Sequence, residues 1–207
     1  MGPVKVAVIY YSSTGTNYKL AQAAAEAARE MGAEVRVRKV RELAPESAIN
    51  SNSHWKAHLE ATRDVPEATL DDLDWADVYI FSTPTRYGMM ASQMKQFLDT
   101  TGPLWAQGKL ANKVATVMTS AANPHGGQEA TILSFWALLA HWGAIIVPPG
   151  YTDQSVFAAG GNPYGTSVTV PQADTAGAIP DEKALAAARY QARRAVTVAS
   201  WIMKGQA

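Results

Sequence analysis

At 207 residues, with 18 basic and 18 acidic side chains, the chain is long enough to bury one α/β core and lacks the charge field that draws nucleic acid or an anionic membrane. Its 0 cysteines exclude disulfides, thiolate metal sites and thiol nucleophiles, and lead us to expect a reducing, cytoplasmic setting. No apolar leader precedes the first strand, and no uncharged run is long enough to span a bilayer.

Residues 4–10 are almost all apolar and largely β-branched, which predicts a strand covered on both faces. The strand runs into Ser12, Ser13, Thr14, Gly15, Thr16 and Asn17, then into a helix predicted over 18–31 by its Ala, Leu, Gln and Glu content and stopped by Gly32. The first amides of such a helix have no internal partner, and its dipole attracts an anion, so the turn reads as a phosphate seat. No Lys or Arg lies between Ser12 and Asn17; neutral donors suit a phosphate monoester better than a metal-bearing triphosphate. A capped helix with nothing bound is the competing reading. Neither G-x-G-x-x-G nor a Walker loop occurs: the stretch from Gly102 to Gly108 and Lys109 has one residue too many and continues into Leu110.

Residues 34–38 alternate apolar and charged side chains, as a strand near a sheet edge does. Further strands are predicted over 78–83, stopped by Pro84, over 114–119 and over 144–147, and helices over 91–100, 129–142 and 181–204, the last opened by Pro180, Asp181 and Glu182. Alternating strand and helix predicts an α/β fold, a flavodoxin-like doubly wound five-stranded parallel sheet of order 2-1-3-4-5 with helices on both faces, forming one domain over 1–207. Two stretches, 43–75 and 149–180, exceed simple connections and read as insertions, each either functional or ordering against a partner. The second carries Gly160, Gly161, Pro163, Tyr164 and Gly165 and suits a lid or a subunit contact. Glu46, Asp64, Glu67, Asp71 and Asp72 read as a solvated face. His54 and His58 are spaced i, i+4, but no third ligand is near, so no metal site is assigned.

In an open α/β sheet the ligand lies outside the carboxyl ends of the strands, where the strand order reverses. The loops meeting there carry Pro84, Thr85, Arg86, Tyr87 and Gly88 after the third strand, and Ser120, Ala121, Ala122, Asn123, Gly126 and Gly127 after the fourth. A phosphate seat beside two flat, Gly-containing loops describes a slot for a planar ring with a phosphorylated tail, and FMN is the natural occupant.

The segments Tyr10-Tyr11-Ser12, Pro84-Thr85-Arg86-Tyr87-Gly88, Leu104-Trp105, Gly126-Gly127-Gln128-Glu129, Ala140-His141 with Gly143, and Pro163-Tyr164-Gly165 together resemble the WrbA-type NAD(P)H:quinone oxidoreductases, a flavodoxin-like family, over nearly the whole chain. The resemblance implies bound FMN, two-electron reduction of quinones by NADH or NADPH, and a homotetramer whose sites neighbouring subunits complete; a flavin that takes hydride and then passes on two electrons predicts ping-pong turnover. By position, residues 12–17 would hold the phosphate, Thr85, Arg86 and Tyr87 would face the ring, and residues 120–127 would border the ring and ribityl chain. Trp105 and His141 would line the pocket above the flavin as catalytic residues, the first stacking and the second bonding a quinone oxygen. The sequence departs from the pattern at Thr14, where an aromatic residue is usual, and at Trp142, where a second His is common. A flavodoxin-type electron carrier and a non-catalytic flavodoxin-like scaffold are the alternatives; an anaerobic titration separates the first, and absence of FMN uptake the second.

Overall fold

The computed structural model describes residues 2–171 and 180–205; residues 172–179, part of the second expected insertion, lie outside the described residues. Alternate side chains of the central strand β1 (Lys5–Tyr10) divide between two cores. Val6, Val8 and Tyr10 pack with the alanine-rich faces of α1 (Thr16–Glu30) and α9 (Glu182–Gly205) on one side of the sheet. Ala7 and Ile9 join Phe81, Phe97 and Phe135 on the other side, under α5 (Ser92–Asp99) and α7 (Gln128–Trp142). Because α1 presents Ala21, Ala24, Ala25 and Ala28 to this interface, α9 approaches it closely.

The sheet runs β2-β1-β3-β5-β6, with β2 Glu34–Lys39, β3 Val78–Arg86, β5 Val114–Ala121 and β6 Ile145–Ile146. All these neighbours pair parallel, which is the expected 2-1-3-4-5 path. The sheet is nevertheless seven-stranded rather than five-stranded. A short β4 (Met89–Met90) turns back antiparallel on β3, and β7 (Ser167–Thr169) pairs parallel with β5. Since β6 pairs with Val114 and Ala115 and β7 with Thr119, Ser120 and Ala121, the fifth strand position is split in two. The second insertion leaves the sheet between the halves, carries α8 (Gln154–Ala158), and returns to extend the same edge toward the site.

Two expectations require correction. Pro84 does not stop the third strand, which continues to Arg86; the last rung to β1 is Tyr10 with Ser82, so the missing N–H of Pro84 breaks no pairing on that side. The first insertion folds into α2 (Glu46–Asn50), α3 (Ser53–Ala61) and α4 (Leu70–Trp75), the last being the crossover into β3. Asp72, expected on a solvated face, is 2% exposed, caps α4 through Thr69, and accepts from Arg36 at 3.3 Å and Arg38 at 3.0 Å. Burial raises its carboxyl pKa, but the Thr69 amide and hydroxyl with the Arg38 guanidinium outweigh it and hold the group below the usual carboxylate range. Among the described residues, no helix is long and apolar enough to cross a membrane.

Candidate functional site

The loops after β1, β3 and β5 converge on a cavity of about 230 Å³ lined by Ser12, Ser13, Thr14, Thr16, Asn17, Pro84, Thr85, Arg86, Ser120, Ala121, Ala122 and Val170. All but Val170 belong to the residues expected to bind a cofactor. Val170 follows β7, so the returning insertion supplies one wall. The alternating run Ser167-Val168-Thr169-Val170 was its only signal in the sequence, and it lay inside a stretch dominated by Gly and Pro.

Asn17 ties the loops together. It is 2% exposed, its Nδ2 donates to Ser120 Oγ at 2.8 Å, and Ser82 Oγ donates to its Oδ1 and main-chain oxygen, both at 3.1 Å. The side chain expected to grip phosphate is therefore committed to the scaffold, which leaves the main-chain N–H of this residue for a ligand. Ser12 Oγ accepts from Gly15 N at 3.0 Å and shapes the turn. Among the described residues, the amides of Ser13, Thr14, Thr16 and Asn17 find no protein acceptor. The opening of α1 is thus a group of unpaired donors with no lysine or arginine in the loop.

Beyond the cavity, Tyr87 and Gly88 form the two-residue turn between Arg86 and Met89, with φ +52° and +77°, as a type I′ hairpin requires. A fully exposed aromatic ring is held there in the left-handed region. Gly88 and Gly127 make loop contact instead of lining the cavity: a Cβ on Gly127, φ +88°, would stand 2.9 Å from Gly88 Cα. Thr85 Oγ1 reaches Gly127 O at 3.4 Å and touches Thr131 Oγ1, which fixes the start of α7 to the end of β3. Asn123 and Gly126 likewise lie outside the cavity lining, Asn123 O accepting from Gly126 N and from Gln128 Nε2, both at 3.0 Å.

Trp105, in α6 (Gly102–Ala106), and His141 also do not line the cavity of their own chain. Trp105 Nε1 donates to His141 O at 2.9 Å, which places the pair at the carboxyl end of α7. At 1.5 Å per residue this is about 20 Å along the helix from Gly127. The ring of Trp142 is buried against Tyr79 and Phe81 at 6.1 and 6.3 Å, so this departure from the family pattern is a core residue.

A polar hub beside the site escaped sequence reading. Glu42 accepts from Tyr11 Oη at 3.0 Å, Trp55 Nε1 at 3.0 Å, Gln93 Nε2 at 2.8 Å, and the amides of Leu43 and Ala44, both at 2.9 Å. It joins the exit of β1, the first insertion and α5. Burial, together with the Glu42 carboxylate, pushes the Tyr11 phenol above its ordinary pKa, so it remains a donor at neutral pH.

The chain belongs to the NADPH-dependent FMN reductase family, whose model matches residues 4–155. A protein of Deinococcus radiodurans named NAD(P)H dehydrogenase (quinone) is 58% identical over 167 residues, covering 81% of this chain and 84% of its own. One of the same name from Brucella anthropi is 45% identical over 200 residues, covering 94% and 96%. Among solved structures, a WrbA-like flavodoxin from Agrobacterium tumefaciens superposes with a TM-score of 0.66 at 22% identity, covering 96% of this chain and 98% of its own. A flavodoxin from the domain Archaea gives 0.62 at 15% identity, with 95% and 99% covered. These two likenesses establish the flavodoxin-like fold.

Proposed function

We propose that the chain is an FMN-dependent oxidoreductase that transfers two electrons from NADH or NADPH to quinones. The observation that carries this reading is the cavity at the sheet edge, where unpaired amides of Ser13, Thr14, Thr16 and Asn17 meet the ends of β3 and β5, in a chain 58% identical to a quinone dehydrogenase. The donor set fits FMN: neutral N–H groups at a helix N-terminus take a phosphate monoester without metal, and the segments 84–86 and 120–122 line the same cavity beside them, where a ring would lie. When bound, FMN supplies a ring that takes hydride from a nicotinamide and returns two electrons to an acceptor.

The residues of the chain position and polarise. Asn17 fixes the spacing of the three loops, Pro84 and Ala121 present carbon surface, and Arg86 brings a cation to the rim, where its Nη1 is steadied by Thr85 O at 3.1 Å. Donor and acceptor use the same open face in turn, which makes turnover ping-pong.

Trp105 and His141 serve the site of a neighbouring copy in a homotetramer. They lie far from their own cavity, Trp105 is 58% exposed, and α7 turns an apolar outer face of Ala130, Leu133, Ala137 and Ala140 to the surface beside exposed Met89. A helix apolar on nearly every side is expected to be covered in an assembly. Residues 1–207 act as one FMN-binding domain, and the absence of cysteine supports a cytoplasmic location.

The test is steady-state turnover of NADH with benzoquinone by FMN-loaded protein. Parallel double-reciprocal lines are expected; no turnover with a fully loaded cofactor would overturn the enzyme reading and favour a carrier.

A further inference from the structure

The turn that opens α1 contains no lysine or arginine, yet an ionisable ring reaches it from the first insertion. A Cβ built on Gly15, whose φ is +100°, would lie 3.5 Å from His58 Nδ1 and 4.0 Å from its Cε1. The edge of the imidazole therefore faces the residue at which the helix starts. Any side chain at Gly15 would be strained by this φ and would intrude between ring and turn.

The ring is held in place from several directions. Its centroid lies 5.6 Å from that of Tyr18, itself 5.2 Å from Tyr10, so the three form a column descending from the turn into the sheet. Asn52 caps α3 by accepting from the amides of His54 and Trp55. Trp55 Nε1 is fixed by Glu42, and Lys39 Nζ binds the carbonyls of Thr62 and Arg63 just beyond the helix. Both ends of α3 are thereby fastened to the segment that leaves β2. In spite of this support, neither ring nitrogen of His58 has a hydrogen-bond partner among the described residues. The imidazole is well anchored and half-buried, and its ring nitrogens, which make no protein hydrogen bond, stay accessible to a ligand beside the turn of unpaired amides.

We propose that His58 is a phosphate-recognising residue, which the first insertion lays over the start of α1 so that its ring donates to an oxygen of the bound monoester. The assignment rests on the FMN reading above and gives the 43–75 insertion a role in cofactor retention. Burial and the Lys39 ammonium beside it keep the imidazole below its ordinary pKa. At neutral pH the free ring is uncharged and offers one N–H, with Tyr18 and Lys39 the titratable groups facing it.

The test compares FMN with riboflavin, which differ only in the phosphate, by fluorescence titration of wild type, His58→Ala and His58→Gln at pH 7.5. His58→Ala is expected to weaken FMN at least about tenfold while changing riboflavin by less than about twofold. His58→Gln, which keeps an N–H donor on a side chain of similar reach, is expected to recover most of the FMN affinity. Equal losses for both ligands would reduce His58 to a packing role and overturn the assignment, as would unchanged FMN affinity in His58→Ala. Wild type that fails to prefer FMN over riboflavin would overturn the phosphate seat and the assignment with it.

Discussion

Asn17 is where the scaffold and the seat are most tightly coupled, and two substitutions there separate their contributions. In Asn17→Ala, Ser82 keeps an acceptor, since its hydroxyl also bonds the Asn17 main-chain oxygen at 3.1 Å, but Ser120 loses the donor at 2.8 Å and is left 5% exposed. One lost side-chain hydrogen bond costs about 1 kcal/mol, and a buried hydroxyl left without its partner adds about 1–2 kcal/mol, so about 2–3 kcal/mol is expected. With a urea m-value of about 2 kcal/mol/M, the unfolding midpoint falls by about 1–1.5 M at constant slope. In Asn17→Asp the carboxylate still accepts from Ser82, the Ser120 hydroxyl can turn to donate, and the helix dipole favours the new charge, so the stability loss stays below about 1 kcal/mol. The same charge opposes a phosphate on the adjacent amides. Two like charges about 8 Å apart at an effective dielectric of about 20 repel by about 2 kcal/mol, which weakens FMN about thirtyfold and leaves riboflavin nearly unaffected. Urea titration and fluorescence titration read the two effects separately. An unchanged midpoint in Asn17→Ala would mean that Asn17 does not hold Ser120, and wild-type FMN affinity in Asn17→Asp would mean that no phosphate binds beside it.

Gly127→Ala would place a Cβ 2.9 Å from Gly88 Cα at a φ of +88°; a loss of about 1–3 kcal/mol in urea unfolding is expected. Asp72→Asn removes the carboxylate that meets Arg36, Arg38 and the Thr69 amide and should cost about 2–3 kcal/mol. Because the native pKa of Asp72 is lowered from 3.8, its contribution is complete above the unfolded value and is lost as acid passes the native one, so stability curves of wild type and Asp72→Asn should converge below about pH 4. His141→Ala is expected to lower quinone turnover about tenfold or more while the FMN content stays unchanged; unchanged kinetics would remove it from the catalytic set.

The sequence carried the sheet because its signals are local and repeated: apolar runs over 4–10 and 114–119, and alanine-rich helices with glycine and proline at their ends. It carried the hydroxyl-rich turn that opens α1 for the same reason, since six consecutive residues from Ser12 to Asn17 define it. What it hid depends on contacts between segments distant in the chain. Asp72 looked solvated because its partners Arg36 and Arg38 lie on β2, although the Thr69-x-x-Asp72 spacing was a readable capping box. The contacts of Glu42 with Tyr11 and of His58 with Gly15 arise only where the first insertion folds back on the exit of β1. A glycine at position 127 is compatible with a close approach of any kind, and the approach the fold makes there is to Gly88. Trp105 and His141 do adjoin each other, but α7 carries them away from the cavity of their own chain.

A crystal structure of the protein grown with FMN tests the central claim most directly. The phosphate is expected on the amides of Ser13, Thr14, Thr16 and Asn17, with the ring between the segments 84–86 and 120–122. A cofactor absent from that turn, or seated in the larger cavity of about 400 Å³ beside Gly160, Gly161 and Asn162, would contradict it.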